Sequence, residues 1–264
     1  SQDVQQTNNL VYTRRKDHPL HIDTFVPNNL NSLKAVVMLV HGGGWKKGDR
    51  SKEHTKAKWF SNRGFIVVCP EYRLSGEALF PAAIHDLKDA IYWTREHALE
   101  WGGQPDRIIL MGFSAGAHLV ALAATAGPEA GLDISEFQKQ SNSVAACIVV
   151  AGPSITNDER AFLEARKPES NYQLFLGDLP ENIPAIYEKA SPAHWVSGNE
   201  PPMLFITEGN PSAHNTIRSK LDKLGIQNEI FNLTGGLHSE WNWEPWFTPT
   251  MEVTETFIHS TITH

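Results

Sequence analysis

The chain has 264 residues, of which 41% are hydrophobic and 20% charged, with a formal net charge of -7. This is ordinary for a soluble globular protein, and the length allows a large core without a disulfide scaffold. The acidic balance and the absence of any basic run exclude nucleic acid as an expected partner.

Leu10 to Val26 alternates apolar and polar residues, as an antiparallel edge pair does. Five continuous apolar runs follow as strand candidates: Ala35–Val40, Phe65–Cys69, Arg107–Met111, Val144–Val150 and Pro202–Thr207, with Glu229–Leu233 a weaker sixth. Unbroken apolar runs belong to sheets covered on both faces, which are mostly parallel. Helical patterns lie between them, at Ser51–Arg63, Ala82–His97, Ala115–Ala126, Asn215–Leu224 and Met251–Ile262. Gly64 and Gly225 are placed as helix stops. Strands alternating with helices predict βαβ units in a doubly wound α/β sheet with helices on both faces. One domain over residues 1–264 is expected, with 153–201 a long irregular stretch that forms a cap or flank.

The two cysteines, Cys69 and Cys147, sit inside apolar runs and read as buried free thiols. No run approaches the roughly 18 to 20 apolar residues of a membrane helix, and no signal peptide is visible. The chain opens on Ser1 rather than Met. If Ser1 is a processed end, a secreted or periplasmic protein is expected; otherwise a cytoplasmic one is.

Gly112-Phe-Ser-Ala-Gly116 follows a strand and precedes a helix. A strand-to-helix turn this tight strains the central residue, and the flanking glycines avoid clashes with neighbouring backbone. Ser114 is then exposed at the carboxyl end of the sheet as a nucleophile. His41-Gly-Gly-Gly-Trp45 follows the first apolar strand. Its glycines let backbone N–H groups approach a substrate oxygen, so Gly43 and Gly44, with Ala115, are the candidate oxyanion donors. His41 is read as a brace. The phosphate-binding pattern with Gly-Lys-Ser/Thr is absent.

Of the 12 histidines, His238 is the candidate base, because it lies in a loop after the last strand candidate. His214, His259 and His264 are its rivals. Trp45 beside the glycine loop and Trp241 after His238 are candidate substrate contacts. No metal is expected, since no His-Glu-x-x-His or paired-Cys cluster occurs, and no cofactor is expected.

Together these motifs resemble the esterase/lipase branch of the α/β-hydrolase superfamily, above all proteins similar to bacterial feruloyl esterases. The resemblance runs from about Val11 to about His259. Besides the two glycine motifs, it rests on Leu20–Pro27, Gly48-Asp49, Glu71-Tyr-Arg-Leu74, Phe80–Asp86, Asp106-Arg107 and Ser191-Pro192. It implies the α/β-hydrolase fold and cleavage of small-molecule carboxylic esters through an acyl-enzyme. Relatives also hydrolyse formamides or peptides. Asp86 and Asp106 match structural positions.

The resemblance fails at the acid. The family pattern places Asp shortly after the strand ending at Thr207, where this chain has Glu208-Gly-Asn-Pro-Ser-Ala-His214, with Ser212 at the expected position. Three readings follow. Glu208 supplies the carboxylate, or Asp158 or Glu159 does, or the site is a dyad helped by Asn210 or Ser212. The leading function is an ester hydrolase. The alternatives are an amide hydrolase, such as an arylformamidase or peptidase, and a weakly active or non-catalytic binding protein.

Overall fold

A computed structural model describes residues 2–135, 143–235 and 237–262. Eight strands form one sheet in the order β1-β2-β4-β3-β5-β6-β7-β8. The edge pair β1 (Val4–Arg15) and β2 (His18–Pro27) is antiparallel, and β2 joins β4 antiparallel. From β4 (Ile66–Pro70) through β3 (Val36–Val40), β5 (Ile108–Phe113), β6 (Ala146–Val150), β7 (Met203–Glu208) and β8 (Asn228–Leu233) every pairing is parallel. This is the α/β-hydrolase fold.

The apolar runs are continuous because both faces are covered. Along β3, Val36, Met38 and Val40 enter one hydrophobic cluster, while Val37 and Leu39 enter another. Helices α2 (Ala82–His97) and α3 (Ala115–Thr125) contribute to the first cluster. Helices α1 (His54–Ser61) and α8 (Phe247–Thr261) contribute to the second. Among the described residues, no helix is long and apolar enough to cross a membrane. Asp86 is fully buried and takes ion pairs from Arg15 at 3.0 Å and Arg73 at 2.9 Å, tying β1 to α2.

Several boundaries differ from the sequence expectation. The first helical stretch begins as a 3-10 turn, Arg50–Glu53, capped by Asp49, and continues as α1. The last helix starts at Phe247, not Met251. Pro249 falls in its first turn, where the missing N–H has no helical partner to lose. The stretch 153–201 folds into three short α-helices, α4 (Glu159–Ala165), α5 (Asn171–Leu176) and α6 (Pro184–Lys189), and a 3-10 turn, Pro192–Trp195. Helix α7 (Asn215–Lys223) and β8 complete the sheet edge.

The sheet closes tightly at the start of α3. A Cβ on Gly116 would stand 2.2 Å from the Val40 carbonyl oxygen and 2.5 Å from that of His41. Both atoms belong to backbone that the sheet and the following loop hold in place. Gly116→Ala is therefore expected to destabilise the fold by about 1–3 kcal/mol or more. A thermal melt would show a midpoint lower by several degrees; an unchanged midpoint would contradict the crowding.

Candidate active site

Ser114 lies between β5 and α3 with φ 54° and ψ -117°, a backbone conformation that L-residues rarely adopt. Three glycines make it reachable. A Cβ on Gly112 would meet the Gly116 carbonyl oxygen at 2.2 Å, and one on Gly152 would meet the Ser114 carbonyl oxygen at 2.0 Å. Gly116 is the third. The Ser114 N–H donates to the Val150 carbonyl at 2.8 Å, so β6 holds the turn from the other side. Gly152, just past β6, carries no sequence motif that singles it out.

The glycine loop lies against this turn. A Cβ on Gly42 would come within 3.0 Å of the Ser114 Cβ. Gly43 and Gly44 have φ of 127° and 62°, which glycine adopts without strain. The loop is braced from below. Tyr72 Oη donates to the His41 carbonyl at 2.8 Å, and the His41 ring stacks on Tyr72 at 4.4 Å. His41 Nδ1 donates to the Gly42 carbonyl at 2.7 Å. The Ala115 N–H opens helix α3, where first-turn amides lack intrahelical acceptors.

Ser114 Oγ lies 3.1 Å from His238 Nε2. His238 Nδ1 lies 3.1 Å from Glu208 Oε1, at the end of β7. The carboxylate needs a proton donor, so Nδ1 carries the hydrogen and Nε2 presents its lone pair to Ser114. The His238 side chain is 62% exposed and that of Glu208 10% exposed, so the imidazole faces solvent while its partner is shielded. The hydrogen bond to Glu208 raises the His238 pKa above the usual 6.5, against burial, which lowers it. The turn after Glu208 is pinned by Asn232 of β8, whose Oδ1 accepts from Thr207 Oγ1 at 2.7 Å and from the Gly209 N–H at 2.8 Å.

The competing acids are not bonded to His238 among the described residues. Asp158 caps α4, accepting from the Ala161 N–H at 2.8 Å, and Glu159 begins that helix, exposed. Asn210 and Ser212 bond each other at 3.0 Å. Of the rival histidines, His214 is buried against Ser154 Oγ at 2.7 Å, and His259 packs edge-on to Phe65 within α8. His264 lies outside the described residues.

The two tryptophans expected to touch substrate are both buried. Trp45 is 4% exposed. Its backbone is left-handed at φ 60°, and its ring stacks on Phe175 at 4.6 Å. Its Nε1 donates to His118 Nδ1 at 3.2 Å, and His118 Nε2 donates to the Ala190 carbonyl at 2.7 Å. Trp241 is 3% exposed, packed against Phe113 and edge-on to His238 at 5.4 Å. Both side chains are thus buried, Trp45 next to the glycine loop and Trp241 against the imidazole. Behind the same loop, Lys56 Nζ donates to Asn242 Oδ1 at 2.7 Å and lies 4.5 Å from the Phe113 ring centroid.

Burial lowers His41, His118 and His214 from 6.5 to about 4. They stay neutral in the fold while the same residues in the unfolded chain take up protons below pH 6.5. Between pH 6.5 and 4 the unfolded state thus binds more protons, and stability falls as pH falls. The slope is about 1.4 kcal/mol per pH unit for each such histidine. Denaturant midpoints at pH 7 and pH 5 check this, and equal midpoints would contradict it.

Comparison with known proteins places this site in context. The BD-FAE family model matches residues 22–218. Esterase LipQ of Mycobacterium tuberculosis is 33% identical over 176 residues, 66% of this chain and 41% of that protein. An arylesterase of Saccharolobus solfataricus is 36% identical over 107 residues, 40% of this chain and 35% of that protein. The chain therefore spans less than half the length of these relatives. Among solved structures, a butyrate-bound thermophilic esterase from Thermogutta terrifontis superposes with a TM-score of 0.77 at 22% identity, covering 98% of this chain and 94% of that one. A bifunctional GH43-CE protein of Bacteroides eggerthii gives a TM-score of 0.82 at 23% identity, covering 98% of this chain and 38% of that one. These likenesses carry the fold. With the family model matching most of its length, the chain belongs to the BD-FAE family, within the esterase/lipase branch of the α/β hydrolases.

Proposed function

We propose that this protein is a carboxylic-ester hydrolase that works through an acyl-enzyme on Ser114. One observation carries the reading: Ser114 Oγ, the two nitrogens of His238 and Glu208 Oε1 form a continuous line with 3.1 Å at each hydrogen bond. His238 Nε2 takes the Ser114 proton as Oγ attacks the ester carbonyl. The N–H groups of Gly43, Gly44 and Ala115 receive the negative oxygen of the tetrahedral intermediate. Glu208 stabilises the imidazolium and fixes its tautomer. The imidazolium then returns its proton to the departing alkoxide, and water repeats the sequence to release the acid. The names of the relatives, an esterase and an arylesterase, support the same reaction class.

Short p-nitrophenyl esters, assayed beside Ser114→Ala, test the reading; equal rates for both proteins would overturn it. A fluorophosphonate probe separates it from a binding protein without catalysis. Labelling at Ser114 requires an activated hydroxyl, and an unlabelled wild type would favour the binding reading.

A further inference from the structure

A cavity of about 650 Å³ opens beside His238 and Glu208, between the carboxyl ends of β6 and β7 and helix α4. That volume falls in the range of small-molecule sites. His238 and Glu208 form part of its wall, and Arg160 of α4 forms another part. None of its described lining residues comes from the glycine loop 42–45. The cavity therefore lies on the histidine side of Ser114 rather than on the oxyanion side. In ester cleavage the imidazolium hands its proton to the departing alkoxide, so the alcohol portion must sit on the histidine side.

The charges in this cavity are unevenly satisfied. Its three carboxylates are each engaged. Asp158 caps the Ala161 N–H at 2.8 Å, Glu164 Oε1 accepts from Lys167 Nζ at 2.6 Å, and Glu208 holds His238. Arg160 is exposed and, among the described residues, has no carboxylate at ion-pair distance. With the Asn210 amide oriented to suit its neighbours, its carbonyl oxygen accepts from both Arg160 Nη1 and Nη2, 2.9 Å from the latter, which leaves the Nε–H edge of the guanidinium to other partners. That neutral contact leaves the guanidinium charge uncancelled and part of its five-donor fork open. The remaining wall is mixed: hydroxyls of Ser154, Ser212 and, on the helix α7 side, Thr216 stand beside apolar Ala151, Pro153, Ile155 and Ala213.

We propose that this cavity is the alcohol-side subsite and that Arg160 selects esters whose polar, hydroxyl-bearing alcohol portion carries a carboxylate. The proposal rests on the ester-hydrolase reading. A planar guanidinium pairs with a carboxylate through two parallel N–H bonds, a geometry that neutral hydroxyls do not reproduce. The net charge of -7 works against an anion at long range, so discrimination is local to Arg160. One charge-assisted pair at a partly solvated site is expected to give about tenfold preference.

The test compares kcat/KM for two acetyl esters identical except for one group, an acetylated methyl glucuronoside and the matching acetylated methyl glucoside. Wild type is expected to prefer the acidic ester about tenfold or more. In Arg160→Gln the ratio is expected to fall to near one, and in Arg160→Lys to keep an intermediate value. The ratio is read within each variant, so any general loss of activity divides out. Inhibition of wild type by the two unacetylated glycosides gives the same comparison without turnover. Wild type that cleaves p-nitrophenyl acetate but shows no preference, or a preference that survives in Arg160→Gln, overturns the subsite and leaves the hydrolase reading standing. Wild type that cleaves none of these esters overturns both.

Discussion

Ser114→Ala is expected to lower kcat for ester hydrolysis by on the order of 10⁶, to the level that oxyanion donors and binding alone sustain. Fluorophosphonate labelling disappears with it. The fold is expected to change little, because alanine keeps the Cβ and with it the strain at φ 54° and ψ -117°. Ser114→Gly separates the two effects. It also removes the nucleophile, but it relieves backbone strain of about 1–3 kcal/mol. The greater freedom of glycine in the unfolded chain offsets about 0.4–1 kcal/mol of that gain. The inactive glycine variant is thus expected to melt a few degrees above both wild type and Ser114→Ala. A glycine variant less stable than Ser114→Ala would show that the turn stores no strain, and would remove the physical reason for its glycine frame.

How far this site is legible in the sequence depends on whether each feature is local or tertiary. The central strands read plainly, since β3, β4, β5 and β6 are buried at every residue and so appear as unbroken apolar runs. At the sheet edges the signal weakens. β8 is mostly half-exposed, and β1 extends to Val4 through polar residues that one face leaves in solvent. The elbow at Ser114 is legible because two of its three glycines, Gly112 and Gly116, lie within two residues of the serine, whereas Gly152 comes to the turn only through the fold. The burial of Trp45 is not legible, for a related reason. An aromatic residue after a glycine run looks the same whether it faces substrate or core, and its left-handed backbone leaves no mark in its identity. Arg160 carries no local signal at all, because its significance comes from which carboxylates fail to reach it.

The acid is the hardest case, since it is a contact between the end of one strand and a loop 30 residues later. The family spacing points to Ser212, but a 3-10 turn at Pro211–His214 carries that position away, and Ser212 bonds Asn210 instead. Glu208 sits earlier, on the strand itself, with a side chain one methylene longer than aspartate. Glu208→Gln keeps the shape and removes the charge, and it is expected to reduce kcat/KM by about 10³ to 10⁴. The pH profile gives the sharper evidence. Activity needs His238 neutral, so the rate rises with pH through the imidazole pKa. In wild type the Glu208 hydrogen bond holds that pKa above 6.5, and the rise is expected there. Without the carboxylate charge, burial and the Lys52 charge, which lower the pKa, weigh more, so the midpoint is expected to move down. A slower enzyme with its rise at lower pH is the signature of a lost acid, which simple damage to the loop does not produce. Asp158→Ala supplies the contrast: it removes the α4 cap, costing about 0.5–2 kcal/mol of stability, and leaves the midpoint where wild type has it. If Glu208→Gln kept both the rate and the midpoint of wild type, Ser114 and His238 would act as a dyad, and the 3.1 Å contact with Glu208 would only position the ring.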